Sequence, residues 1–123
     1  MTPDFSIYEV GPRDGLQNLP HAVSIDDRVE MVRLLAGAGL RDIEVGSFVN
    51  PKRVPAMANT AQVFQQCADI DANLAALVPN EHGMQDARDA GAQWYNIFFS
   101  ADEDFNKRSL GCTRNKAVTT YAD

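Results

Sequence analysis

The chain is poor in what several protein classes require. Cysteine occurs only at Cys67 and Cys112, too few for a disulfide scaffold or a four-cysteine zinc site. Basic residues are in deficit. Eleven Lys and Arg against 17 Asp and Glu give a formal net charge of −6, which excludes nucleic acid and anionic membranes as expected partners, since both call for a basic face. No run of about 18 apolar residues exists, so no segment reads as a membrane span. The start, Met1-Thr-Pro-Asp-Phe5, has no basic stretch leading into an apolar one; no secretory leader is read there, and the expected compartment is the cytoplasm. A Gly-rich phosphate loop is also missing, because Gly11 and Gly15 fit neither nucleotide-binding spacing. The two histidines, His21 in the loop before the first helix and His82 in the first turn of the third, read as solvated groups rather than catalysts.

What is present is globular composition, 45% hydrophobic and 23% charged. The 123 residues suffice for one domain and for no second one, and are about half of the roughly 250 that a closed (β/α)8 barrel needs. The pattern alternates strands with helices. Phe5–Val10 alternates apolar and polar residues and stops at Gly11-Pro12, as a strand entering a loop does. Ser24 reads as the cap of a helix with Asp26 and Asp27 in its first turn and Gly39 closing it in a left-handed conformation. Ile43–Val45 is a second strand, 56–68 a second helix, and Leu74–Val78 an apolar run of the kind buried on both faces. Asn80 caps a third helix that Gly91 ends, and Trp94–Phe99 is a fourth strand. The polar stretch 101–112 reads as loop, and Thr113 as the cap of a last helix running to Asp123. The helix, glycine, strand sequence recurs at Gly39 and Gly91, as repeated β/α units require. The expected fold is α/β, with parallel (β/α) units: four strands and three to four helices. Periodicity alone leaves an open doubly wound sheet and part of a barrel both standing.

In either architecture ligands gather at the carboxyl ends of the strands. Gly11-Pro-Arg-Asp-Gly-Leu-Gln17 follows the first strand and sets a fixed cation, Arg13, beside a carboxylate, Asp14. The carboxylate suits a hard divalent cation and the arginine an oxyanion; an exposed ion pair in a tight turn is the competing reading. Glu44 stands between Ile43 and Val45. Burying it unpaired is expensive, so it needs a cation, for which Arg13 is the candidate, unless it meets solvent at an edge. The segment Gly46–Pro55 offers Ser47 and Asn50 to position a polar substrate, and Lys52 and Arg53 to meet a phosphate-bearing tail, or is a solvated loop. Cys67 reads as packing. Cys112 lies in the polar stretch with no partner spaced for catalysis.

Glu9-Val-Gly-Pro-Arg-Asp-Gly-Leu-Gln-Asn18, with Ile43-Glu-Val-Gly-Ser-Phe-Val-Asn-Pro-Lys-Arg-Val-Pro-Ala-Met57, resembles the hydroxymethylglutaryl-CoA lyases, members of the metal-dependent aldol and Claisen-type TIM-barrel enzymes. The resemblance runs from about Ile7 to about Cys112. It implies about half of a TIM barrel over residues 1–123, and cleavage of a 3-hydroxy-3-methylglutaryl-CoA-type thioester to acetyl-CoA and acetoacetate. It also implies roles. Asp14 would ligate Mg2+ or Mn2+; Arg13 would stabilise the enolate oxygen; Glu44 would serve catalysis by orienting Arg13 and metal-bound water; Gln17, Ser47 and Asn50 would line the acyl-CoA site. The chain departs from the pattern at Arg53, where the family commonly has Trp, and within 104–113. The His-x-His pair, the mobile-loop Cys and the further Asn that the family draws from its second half have no counterpart here. The metal site is therefore expected to be incomplete in this chain. The alternative is a half-barrel without lyase activity, as a fragment or as a homodimer whose two copies together close eight strands.

Overall fold

The computed structural model describes residues 4–122. Four strands, β1 (Tyr8–Glu9), β2 (Asp42–Ser47), β3 (Asn73–Leu77) and β4 (Trp94–Asn96), form one sheet in chain order, and every neighbouring pair is parallel. Helices α1 (Ile25–Gly37), α2 (Thr60–Gln66) and α3 (Glu81–Asp89) connect them, and α4 (Glu103–Leu110) and α5 (Arg114–Ala122) follow β4. The expected parallel β/α succession is present. No helix among the described residues is long and apolar enough to cross a membrane.

The caps explain the helix boundaries. Ser24 Oγ accepts from Asp27 N at 3.1 Å, and Asn80 Oδ1 accepts from Gly83 N at 2.8 Å, each satisfying an amide that the first turn leaves free. Gly39 and Gly91 sit at φ +97° and +91°, the left-handed conformation in which a side chain would be strained. Three expectations change. The first and fourth strands are shorter than the alternating patterns, ending as ladder pairing ends. The second helix is preceded by a short 3-10 turn, Pro55–Met57, and begins only at Thr60. The stretch 101–112 is not loop: it holds α4, so the described residues form five α-helices where three to four were expected. Asp102 Oδ1 caps α4 by accepting from Phe105 N at 2.6 Å, and Gly111 closes it at φ +72°. Its polar face hid it, because only Asn106 of the helix is buried. Thr113 caps α5 as expected, through Lys116 N at 3.2 Å; Asp123, the expected end of that helix, lies outside the described residues.

The core lies between the sheet and the first three helices. Ile43, Val45, Leu74, Ala76 and Val78 pack there against Val29, Val32, Val63, Phe64, Cys67 and Ala87. Cys67 is fully buried, as a packing residue should be, and burial pushes its thiol up. Strand alternation then sends Tyr8, Glu44, Ala75, Leu77, Trp94 and Asn96 to the other face, since the ladder pairs Ala75 with Glu44 and Trp94, and Leu77 with Asn96. One irregularity matters. The register slips between Glu44 and Gly46, so that Glu44 pairs with Ala75 and Ser47 with Leu77. Ala75 and Leu77 share a face, so the bulge puts Glu44 and Ser47 on one side although they are three residues apart. Gly46 fits this turn because a Cβ there would lie 2.7 Å from Thr60 Cγ2 and 3.0 Å from Arg28 Nη2.

Arg28 fills the space behind the bulge. It is buried, with Nη1 donating to the Ala58 carbonyl at 2.7 Å and Nη2 to Thr60 Oγ1 at 3.0 Å, and it ties α1 to the start of α2. Among the described residues no carboxylate pairs with it, and burial lowers its pKa.

Candidate active site

The chain leaves β1 through a single wide, π-helical turn, Gly11–Gly15. The Val10 carbonyl accepts from the amides of Arg13 at 3.1 Å and Asp14 at 2.7 Å, and Pro12 at its start loses no ladder donor. This turn swings Arg13 back over the neighbouring strand. Its Nε donates to Glu44 Oε1, while Nη1 donates to Asp14 Oδ1 at 3.1 Å and to Gln17 Oε1 at 3.2 Å. Nη2 has no hydrogen-bond partner among the described residues.

Glu44 is 1% exposed. The cost of burying a carboxylate is offset because both of its oxygens are engaged. Oε1 takes Arg13, and Oε2 accepts from Tyr8 OH at 2.8 Å and from Asn96 Nδ2. The expected Arg13–Glu44 pair is present, and the edge alternative for Glu44 is excluded by its burial. Burial, with the adjacent Glu44 carboxylate, holds the Tyr8 hydroxyl protonated well above its ordinary 10.0. It therefore donates throughout the physiological range.

Tyr8 and Asn96 escaped notice in the sequence. Asn96 ends β4 and Tyr8 begins β1, yet each reads as an ordinary member of an alternating strand. What reveals them is Glu44, whose second oxygen requires donors that the Arg13 turn does not supply.

The other expected residues are placed as follows. Asp14 is held beside Arg13, with its side chain 62% exposed. Gln17 and Asn50 line, with Arg13, a cavity of about 630 Å³ at the carboxyl ends of the strands. Asn50 Oδ1 also accepts from Lys52 N at 2.9 Å, which stiffens that loop. Ser47 is buried; its hydroxyl donates to the Leu77 carbonyl at 3.3 Å, and it lines a separate, smaller recess beside Phe48 and Thr60. His82 is exposed and pairs with Asp86 at 3.4 Å. Cys112 is half-buried between α4 and α5.

No group of three or more His, Cys, Asp or Glu converges on a metal-sized point among the described residues. Asp14 can give one oxygen to a hard cation, but Mg2+ takes about six ligands. The residues present do not by themselves make a divalent-cation site.

A model of the HMGL-like family matches residues 4–123. The hydroxymethylglutaryl-CoA lyase of Pseudomonas mevalonii is 43% identical over 116 residues, covering 94% of this chain and 38% of that protein. The 3-hydroxy-3-isohexenylglutaryl-CoA/hydroxymethylglutaryl-CoA lyase of Pseudomonas aeruginosa is 43% identical over 94% of this chain and 39% of its own length. A crystal structure of an HMG-CoA lyase from A. baumannii, in complex with coenzyme A and 3-methylmalate, superposes with a TM-score of 0.89 at 31% identity, over 98% of this chain and 41% of that one. The chain thus spans well under half the length of the relatives it matches. Its four strands and alternating helices match the amino-terminal half of the TIM barrel in these lyases.

Proposed function

Because this chain belongs to the HMGL-like family, we propose that its site serves a carbon–carbon lyase acting on a 3-hydroxy-3-methylglutaryl-CoA-type thioester. In that reaction the tertiary hydroxyl loses its proton and becomes a ketone as the neighbouring carbon–carbon bond breaks. The bond's electron pair moves into the thioester as an enolate. Protonation of the enolate on carbon gives acetyl-CoA, and the other fragment leaves as acetoacetate.

The observation that carries the reading is Arg13. Three of its donor contacts are tied to protein oxygens, and Nη2 is left free on a guanidinium that lines the cavity. A cation held in place before the reaction stabilises negative charge on the enolate oxygen without having to reorganise. Glu44 acts through Arg13: it fixes the guanidinium plane and is a positioning residue rather than a group that meets substrate. In this reading Gln17 and Asn50, which line the same cavity as Arg13, contact the acyl thioester, and Ser47 supports the strand end through its bond to the Leu77 carbonyl. Asp14 is one oxygen ligand for Mg2+ or Mn2+, and the remaining ligands have to come from outside the described residues.

The test is a chimera in which residues 4–122 replace the matching segment of the P. mevalonii lyase. The chimera should cleave the thioester, and Arg13→Lys should lower its kcat by about 100-fold, the scale for loss of one positioned oxyanion donor. A folded chimera without turnover, or one indifferent to Arg13→Lys, would refute the proposal.

A second reading rests on the open edges of the sheet. Among the described residues β1 and β4 are each paired on one side only, and Phe5, Ile7 and Trp94 are exposed nearby. A second copy could close the sheet into eight strands, giving a homodimer without lyase activity.

A further inference from the structure

The cavity beside Arg13 carries more positive charge than the reaction centre uses. Arg53 and Arg108 line it together with Arg13, and no Asp or Glu does. In a chain of net charge −6, a concave surface with three guanidiniums and no carboxylate is a marked local reversal, and such a reversal raises the local concentration of anions. Neither Arg53 nor Arg108 pairs with a carboxylate among the described residues. The Arg53 guanidinium is held next to the helix that carries Arg108, since its Nη2 donates to the Arg108 backbone carbonyl in the last turn of α4 at 2.9 Å. That bond satisfies a carbonyl the helix end leaves free and joins the β2–α2 loop to α4.

The rest of the lining is mostly apolar, with Val54, Phe98, Phe105 and Leu110 accompanying the two arginines. Arg13 is held by buried Glu44, whereas Arg53 and Arg108 are exposed. The cavity therefore suits a ligand with a reacting end at Arg13, an uncharged arm and a second, anionic end. We infer that Arg53 and Arg108 form a clamp for a phosphate of the coenzyme A moiety, so that Arg53 selects for the nucleotide end of the substrate rather than its acyl end. Guanidinium suits this task because its fork of donors matches phosphate oxygens in pairs. The inference rests on the acyl-CoA reading above and adds to it the part of the ligand recognised.

The purified chain is titrated calorimetrically with coenzyme A and with pantetheine, which lacks the phosphates. Arg53→Gln and Arg108→Gln should each weaken coenzyme A binding about tenfold, the effect of losing one charge-assisted contact, and leave pantetheine binding unchanged. The salt dependence of coenzyme A binding should become shallower in both variants. Arg41→Gln, at the opposite end of the strands, controls for net charge and should bind as the wild type does. Equal affinity for coenzyme A in wild type, Arg53→Gln and Arg108→Gln would overturn the clamp while leaving the acyl-CoA reading in place. Coenzyme A binding to none of them, with circular dichroism showing all folded, would overturn both.

Discussion

Tyr8 on the first strand and Asn96 on the last hydrogen-bond directly to each other, over the carboxylate of Glu44 that both also contact. Three strand spacings of roughly 4.8 Å separate β1 from β4 along a flat sheet. A side-chain contact across that span requires the sheet to curl, so the polar triad measures the curvature as well as covering Glu44.

The Arg13–Glu44 pair should be strongly coupled. Arg13→Met leaves Glu44 buried without its cation and is expected to cost about 3 kcal/mol of stability at neutral pH. Adding Glu44→Gln to that variant should restore most of the loss. Urea unfolding of the two single variants and the double variant measures the coupling; additive losses would mean that the pair is not a unit.

Tyr8 makes a prediction in alkali. Its hydroxyl titrates higher in the folded chain than its ordinary 10.0. The stability this contributes is fully present below pH 10 and is lost as pH rises from there through the folded value. Tyr8→Phe should flatten that alkaline decline while lowering stability at neutral pH. Thermal unfolding between pH 8 and 11 reads both effects, and a decline unchanged in Tyr8→Phe would assign it to other groups.

Gly46→Ala should disturb the bulge. The added methyl meets Thr60 and Arg28, both buried, and overpacking of this kind costs about 2 kcal/mol. In the lyase chimera the same change should lower turnover beyond what its loss of stability explains, because Glu44 lies on the same strand. Turnover that simply follows the folded fraction would argue against coupling between the bulge and Glu44.

By itself, the chain is expected to turn over the thioester slowly or not at all, even with Mn2+ present, since among the described residues no cluster of His, Cys, Asp or Glu completes the site around Asp14. Sedimentation of the same sample decides whether the open edges are covered by a second copy. A compact monomer over a range of concentrations would count against the homodimer.

Much of the fold was legible because its signals are local. Ser24, Asn80 and Thr113 cap helices by contacts within three residues, and Gly39 and Gly91 mark left-handed stops. The Arg13–Glu44 pair was legible for another reason: an acid between Ile43 and Val45 has few tolerable fates other than pairing. α4 was missed because one buried residue, Asn106, gives no periodic signal. Tyr8 and Asn96 were missed because their meeting depends on curvature, and no spacing in the chain encodes that. The bulge was invisible for a similar reason, since it is a property of two paired strands and not of either alone.

The strands lie in the sheet in the order in which they are made. Each new strand therefore finds its partner already in place, and pairing can proceed unit by unit as the chain emerges from the ribosome. The contact between Tyr8 and Asn96 departs from that order, bridging 88 positions, as does the one between Asn96 and Glu44. Tyr8 and Asn96 cover Glu44 from the two ends of the sheet, so the burial of this carboxylate depends on β4 being in place beside β3.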